Sequence, residues 1–111
     1  MIEFHSLDDD HIPLNGGKGV SALTDTNFAS VPATQAKWVQ LNGAQPQSNR
    51  VLTVAGAHCD LHTRKPGAPV ELCLTDSGGH SWPGGGAQQG RKQPSMAISA
   101  NDLMWSFFSS L

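Results

Sequence analysis

The absences in this 111-residue sequence narrow the field before any motif is read. No run approaches the roughly 18 apolar residues of a membrane-spanning helix. Met1-Ile2-Glu3-Phe4 has neither the basic nor the apolar region of a signal peptide. The chain as given reads as soluble, with no membrane partner and no legible address. Positive charge is also scarce: 7 Lys and Arg against 9 Asp and Glu give a net charge of −2 and a pI near 6.1. A nucleic-acid partner normally meets a basic patch, and the single basic cluster, Arg91-Lys92, is too short to form one. Internal repeats and low-complexity tails are missing. His58 and His62 stand four apart beside Cys59, and His5 and His11 bracket three aspartates, but this is only half of a paired zinc-ligand set. A metal-binding domain is therefore the weaker alternative, and no metal or other cofactor is expected.

A chain of this length holds one small domain with a modest core, covering residues 1–111. Its two cysteines, Cys59 and Cys73, flank a turn expected at Lys65-Pro66-Gly67-Ala68, which would bring them onto neighbouring strands. A disulfide is sterically possible there but not compelled, because free Cys is also a small buried hydrophobe.

The most distinctive stretch is Gly78-Gly79-His80-Ser81-Trp82-Pro83-Gly84-Gly85-Gly86, directly after the apolar run Val70–Thr75. Glycines allow φ > 0 and close backbone approach, and Pro83 stops a strand or helix from running through. His80 is thus presented by a loop at a strand's end, a placement suited to proton transfer. The plain alternative is a structural turn with a solvated histidine.

In chain order, Ile2-Glu3-Phe4-His5 alternates as a strand. Residues 5–19 form a loop carrying Asp8-Asp9-Asp10, Pro13 and Asn15-Gly16-Gly17, and 20–27 is undecided between helix and irregular chain. Ser30 as cap, Pro32 in the first turn and Asn42-Gly43 as stop predict a helix over 32–42, with Ala33, Ala36, Trp38, Val39 and Leu41 as its apolar side. A hairpin is expected over 51–75, its first strand beginning at Val51-Leu52-Thr53-Val54-Ala55 and able to continue to His62. The His loop follows over 78–94. Ser99-Ala100-Asn101-Asp102 then reads as a capping box, opening a terminal helix over about 100–110. Its stripe Leu103, Met104, Phe107, Phe108 and Leu111, widened by Trp105, is expected to be core. The fold class is α/β: a small, mostly parallel sheet with a β-hairpin and flanking helices. In such sheets functional loops follow the carboxyl ends of parallel strands. If the strands before Asp9 and His80 are neighbours, an Asp9 oxygen should lie about 2.6 to 3.2 Å from the His80 ring.

At these residues the sequence resembles the C-terminal part of the poly(3-hydroxybutyrate) depolymerase and feruloyl-esterase-like branch of the α/β-hydrolases. That family shows His-Gly-x-x-Asp-x-x-Val-Pro-Tyr followed by Gly-Gly. The chain has His5-Ser6-Leu7-Asp8-Asp9-Asp10-His11-Ile12-Pro13-Leu14 and then Gly16-Gly17. The family's Gly-Gly-His-(Thr/Ser)-Trp-Pro-Gly-Gly is matched by Gly78 to Gly85, and its terminal helix is approximated by Trp105-Ser106-Phe107-Phe108. The resemblance implies a partial α/β-hydrolase sandwich and a carboxylic-ester hydrolase, with Asp9 as triad acid, His80 as triad base and Trp82 as the substrate-facing aromatic of the His loop. Asp8 and Asp10 compete with Asp9, and the spacing from His5 and Pro13 favours Asp9. Ser6 stands for the family's Gly, and Leu14 for its Tyr.

The nucleophile is missing. The family's Gly-x-Ser-x-Gly elbow does not occur here, and Ser81, adjoining His80, has no oxyanion hole around it in sequence. The expectation is therefore a hydrolase fragment with two triad members and no turnover of its own. The rival is a non-catalytic structural or binding module derived from such an enzyme. A first strand with an open edge further predicts a homo-oligomer closed through that edge.

Overall fold

In the computed structural model, which describes residues 1–64 and 68–111, the alternating N-terminal segment is strand β1, Ile2–Ser6. It is followed by a long irregular loop whose one bridge joins Gly17 to Phe28. Helix α1, Val31–Asn42, begins where sequence logic places it. The Ser30 hydroxyl caps the Ala33 N–H, Pro32 sits in the first turn, and Gly43 terminates the helix in the left-handed region at φ 61°. Strands β2 (Asn49–Val54), β3 (Ala57–His62) and β4 (Val70–Thr75) come next, then helix α2 (Ala100–Ser109), capped by Ser99 on the Asp102 N–H.

The sheet order is β1-β4-β3-β2. Only β1 and β4 run parallel; β2–β3 and β3–β4 are antiparallel. The sheet is thus mixed, and the expectation of a mostly parallel sheet is corrected. The cause is the long apolar run beyond Val51. Instead of one strand reaching His62 it folds at Ala55-Gly56, where Gly56 takes φ 84°, and becomes two strands of a meander. The turn expected at Lys65-Pro66-Gly67 lies outside the described residues.

One row of residues crosses the whole sheet in register: Leu52, Cys59, Cys73 and Phe4. Cys59 and Cys73 form a cross-strand disulfide, which settles the alternative left open by the sequence. With Ala57 and Ile98 they make the larger core cluster, against which Ile2, Phe4 and Leu103 pack. The opposite face carries a second cluster of Val39, Ala44 and Val70.

Both helices bury less than their patterns suggest. Along α1 the buried stripe is Val31, Gln35 and Val39, while Ala33, Ala36, Trp38 and Leu41 are exposed. On α2 only Ala100 and Phe107 are buried; Trp105 is 75% exposed and Phe108 51%. The expected core stripe is therefore largely solvent-facing, because one narrow sheet offers α2 too little surface to cover it. No helix among the described residues is long and apolar enough to cross a membrane.

Candidate active site

Because β1 and β4 are parallel neighbours, the loops that leave their carboxyl ends open at the same sheet edge. Ser6 pairs with Thr75 at the last register position, so the acidic loop and the His loop start side by side. The Leu7 N–H donates to the Thr75 carbonyl at 2.9 Å, which extends the pairing by one residue.

Beyond that point each aspartate has a separate task. Asp8 accepts the Gly79 backbone N–H at 2.8 Å and the Ser6 hydroxyl, tying the acidic loop to the backbone of the His loop. Lys92 adds a hydrogen bond to the Asp8 carbonyl at 3.0 Å and lies 3.6 Å from its carboxylate. Asp9 turns inward, its side chain only 4% exposed. Its Oδ1 accepts the N–H groups of His11 and Ile12, both at 2.9 Å, and its Oδ2 lies 2.9 Å from His80 Nδ1. Asp10 faces away, with Oδ1 2.9 Å from His11 Nδ1 and Oδ2 accepting the Ser21 hydroxyl at 2.9 Å. Of the three competing acids, Asp9 alone hydrogen-bonds His80.

Burial opposes ionisation of Asp9, but the His80 ring and the N–H groups of Ile12 and His11 outweigh it and hold the carboxyl below its usual range. Asp8 is held low in the same way, against burial, by Ser6, Gly79 and Lys92. Asp10 is lowered by the Ser21 hydroxyl and the His11 ring.

His80 follows a stretch of backbone that only glycine accommodates. Gly78 has φ 120°, and a Cβ there would fall 2.7 Å from the Ser95 backbone nitrogen. With Nδ1 on Asp9, Nε2 has no hydrogen-bond partner among the described residues, and the ring lines a cleft of about 560 Å³. Phe4, Ile12, Phe28 and Trp82 supply apolar wall to this cleft. Trp82 is fixed by its indole N–H on Asn101 Oδ1 at 3.0 Å and by an edge-on contact with Phe4 at 5.5 Å. Ser81 points elsewhere: its hydroxyl donates to the Lys92 carbonyl at 2.7 Å.

Two histidines that the sequence did not single out for this site belong to it. The His11 ring stacks on His80 with centroids 5.0 Å apart and planes 19° from parallel. His5 Nε2 bonds the Ile12 carbonyl at 2.8 Å and lies 3.7 Å from Asp9 Oδ2, bracing the turn that presents Asp9. His5 is the first residue of the Asp motif, whereas nothing local announces a ring stack between residues so distant in sequence.

Potential ligand atoms of Asp9, Asp10 and His11 lie within 4.8 Å of one another, but the hydrogen bonds above already engage these groups. Cys59 and Cys73, grouped with Glu71, are oxidised to the disulfide and offer no thiolate. The pair His58 and His62 does not join a ligand group among the described residues; His58 lies 3.9 Å from Asp60, and His62 Nδ1 2.9 Å from the Gln45 carbonyl. The site therefore holds an acid–imidazole pair on the wall of an apolar cleft, able to move a proton at His80 Nε2. Comparison with models of known families, with curated proteins and with solved structures gives no match.

Proposed function

We propose that this chain carries the acid and base of a carboxylic-ester hydrolase of the polyhydroxyalkanoate depolymerase and esterase type, on a partial α/β-hydrolase sandwich. The observation that carries the reading is the 2.9 Å contact from His80 Nδ1 to Asp9 Oδ2, with Nε2 left open beside the cleft. Asp9 holds the tautomer with the proton on Nδ1 and stabilises the imidazolium. Nε2 then takes the proton of an attacking hydroxyl and returns it to the leaving alcohol. Trp82, with Phe4 behind it, forms the apolar wall for the acyl or alcohol part.

The hydroxyl itself is not supplied by Ser81, which is bound to Lys92, and the sequence has no Gly-x-Ser-x-Gly elbow. The chain alone thus provides two members of a triad. The test is hydrolysis of a nitrophenyl acyl ester, with free imidazole as control. The expected rate is non-saturable, does not exceed the imidazole control, and is unchanged in Ser81→Ala. Saturable turnover lost in both His80→Ala and Ser81→Ala would make this a complete enzyme with Ser81 as nucleophile. The binding-module reading gains if His80→Ala leaves every rate unchanged while a ligand still occupies the cleft.

The partner of β1 in this reading is a second copy of the chain. β1 stands at the end of the strand order β1-β4-β3-β2, with no strand on its far side among the described residues. Glu3 and His5 share a face, with Nδ1 to Oε1 at 3.8 Å. A twofold antiparallel pairing centred on Phe4 sets each Glu3 opposite the other copy's His5.

A further inference from the structure

We propose that Arg91 makes the cleft selective for esters that carry a free carboxylate, an inference that rests on the ester-hydrolase reading of Asp9 and His80. Two cavities meet at the His80 ring: the cleft along β1, and a second of about 310 Å³ bounded by His11, Ser21 and Lys92. Arg91 lines both.

The carboxylates around it already have hydrogen-bond partners. Asp8 is taken by Gly79, Ser6 and Lys92, Asp9 by His80, His11 and Ile12, and Asp10 by His11 and Ser21. Glu3, on the wall of the first cavity, accepts the Gln35 amide at 2.6 Å. The Arg91 guanidinium has no hydrogen bond or ion pair among the described residues; only its backbone N–H is engaged, with the Gln88 carbonyl at 3.3 Å. It is the cation of this cleft left to a ligand.

A guanidinium is a planar fork that binds carboxylate with two parallel hydrogen bonds. A neutral acyl ester gains nothing from such a group. An ester with a free acid end gains a fixed orientation, with the carboxylate on Arg91 and the ester carbonyl at His80. The cleft's apolar wall suits the short hydrocarbon between them.

The test uses butyrate and methyl butyrate as probes, titrated into the native protein and into Arg91→Gln, with amide shifts around His80 as the readout. Butyrate is expected to bind the native protein and to bind Arg91→Gln at least about tenfold more weakly, the size of a charge-assisted contact. Methyl butyrate should bind both alike. Butyrate binding that is absent, or equally tight in Arg91→Gln, overturns the proposal. So does an equal loss for both probes, which would mean that Arg91 only shapes the cavity. Arg91 is exposed, so the substitution leaves the core intact. Binding needs no proton transfer, so failure of the ester-hydrolase reading registers separately, in the nitrophenyl ester assay.

Discussion

Asp9 and His80, 71 positions apart, share a 2.9 Å contact because the strands that deliver them, β1 and β4, are parallel neighbours ending at the same register. The sequence order β1, α1, β2, β3, β4 places three elements between them. The antiparallel meander returns β4 to the side of β1, so the loop bearing His80 meets the loop bearing Asp9.

Removing the Asp9 carboxylate should be felt as stability. In Asp9→Ala the N–H groups of His11 and Ile12 and His80 Nδ1 all lose their acceptor. A cost of about 1–3 kcal/mol is expected in urea denaturation, and less in Asp9→Asn, which keeps one oxygen. A value for Asp9→Ala below about 0.5 kcal/mol would mean that the turn holds itself without the carboxylate.

Acid should unfold the protein through the same loop. Asp8, Asp9 and Asp10 all have folded pKa values below their unfolded ones. Their stabilisation is complete above about pH 4 and is lost as pH falls through the lower, folded values. Glu71 has the opposite sign, since burial raises its carboxyl despite the nearby N-terminal ammonium, so it favours folding as pH falls toward its unfolded value. Denaturation midpoints from pH 6 downward should therefore fall steeply only below about pH 4, with a shallower fall in Asp9→Asn.

The cross-strand bridge should matter in proportion to the loop it closes. Cys59 and Cys73 are 14 positions apart, for which loop-closure entropy gives about 3 kcal/mol. Denaturation with and without reductant, and of the double Cys→Ser variant, measures it. Equal stability in all three would mean that the meander is held by its ladder and core alone.

The glycine before the histidine loop is a steric requirement. Gly78→Ala combines an unfavourable φ with a 2.7 Å approach to the Ser95 backbone. A loss of about 1–3 kcal/mol is expected, together with displacement of the His80 ring resonances. Unchanged resonances would show that the loop absorbs a side chain there.

Pairing through β1 predicts a dimer by light scattering at low protein concentration. Ile2→Pro, which removes a backbone N–H and disfavours strand pairing, should shift it toward monomer. A well-folded monomer in the native protein would remove the second copy from the picture of this edge.

What the sequence determined by itself was local. Caps at Ser30 and Ser99, the stop at Gly43, the alternation of β1 and the glycine frame of His80 depend on a few adjacent residues, and each stands where those residues require it. The tertiary structure decided what depends on distant partners. The run after Val51 became two strands because Gly56 supplies a left-handed turn that lets β3 pair on both sides. The helix stripes stayed half-exposed because burial depends on how much sheet lies beneath them. His11 over His80, Lys92 on Asp8 and the unmatched Arg91 come from strand order, which brings residues together across most of the chain's length and leaves no periodic trace in the sequence around any of them.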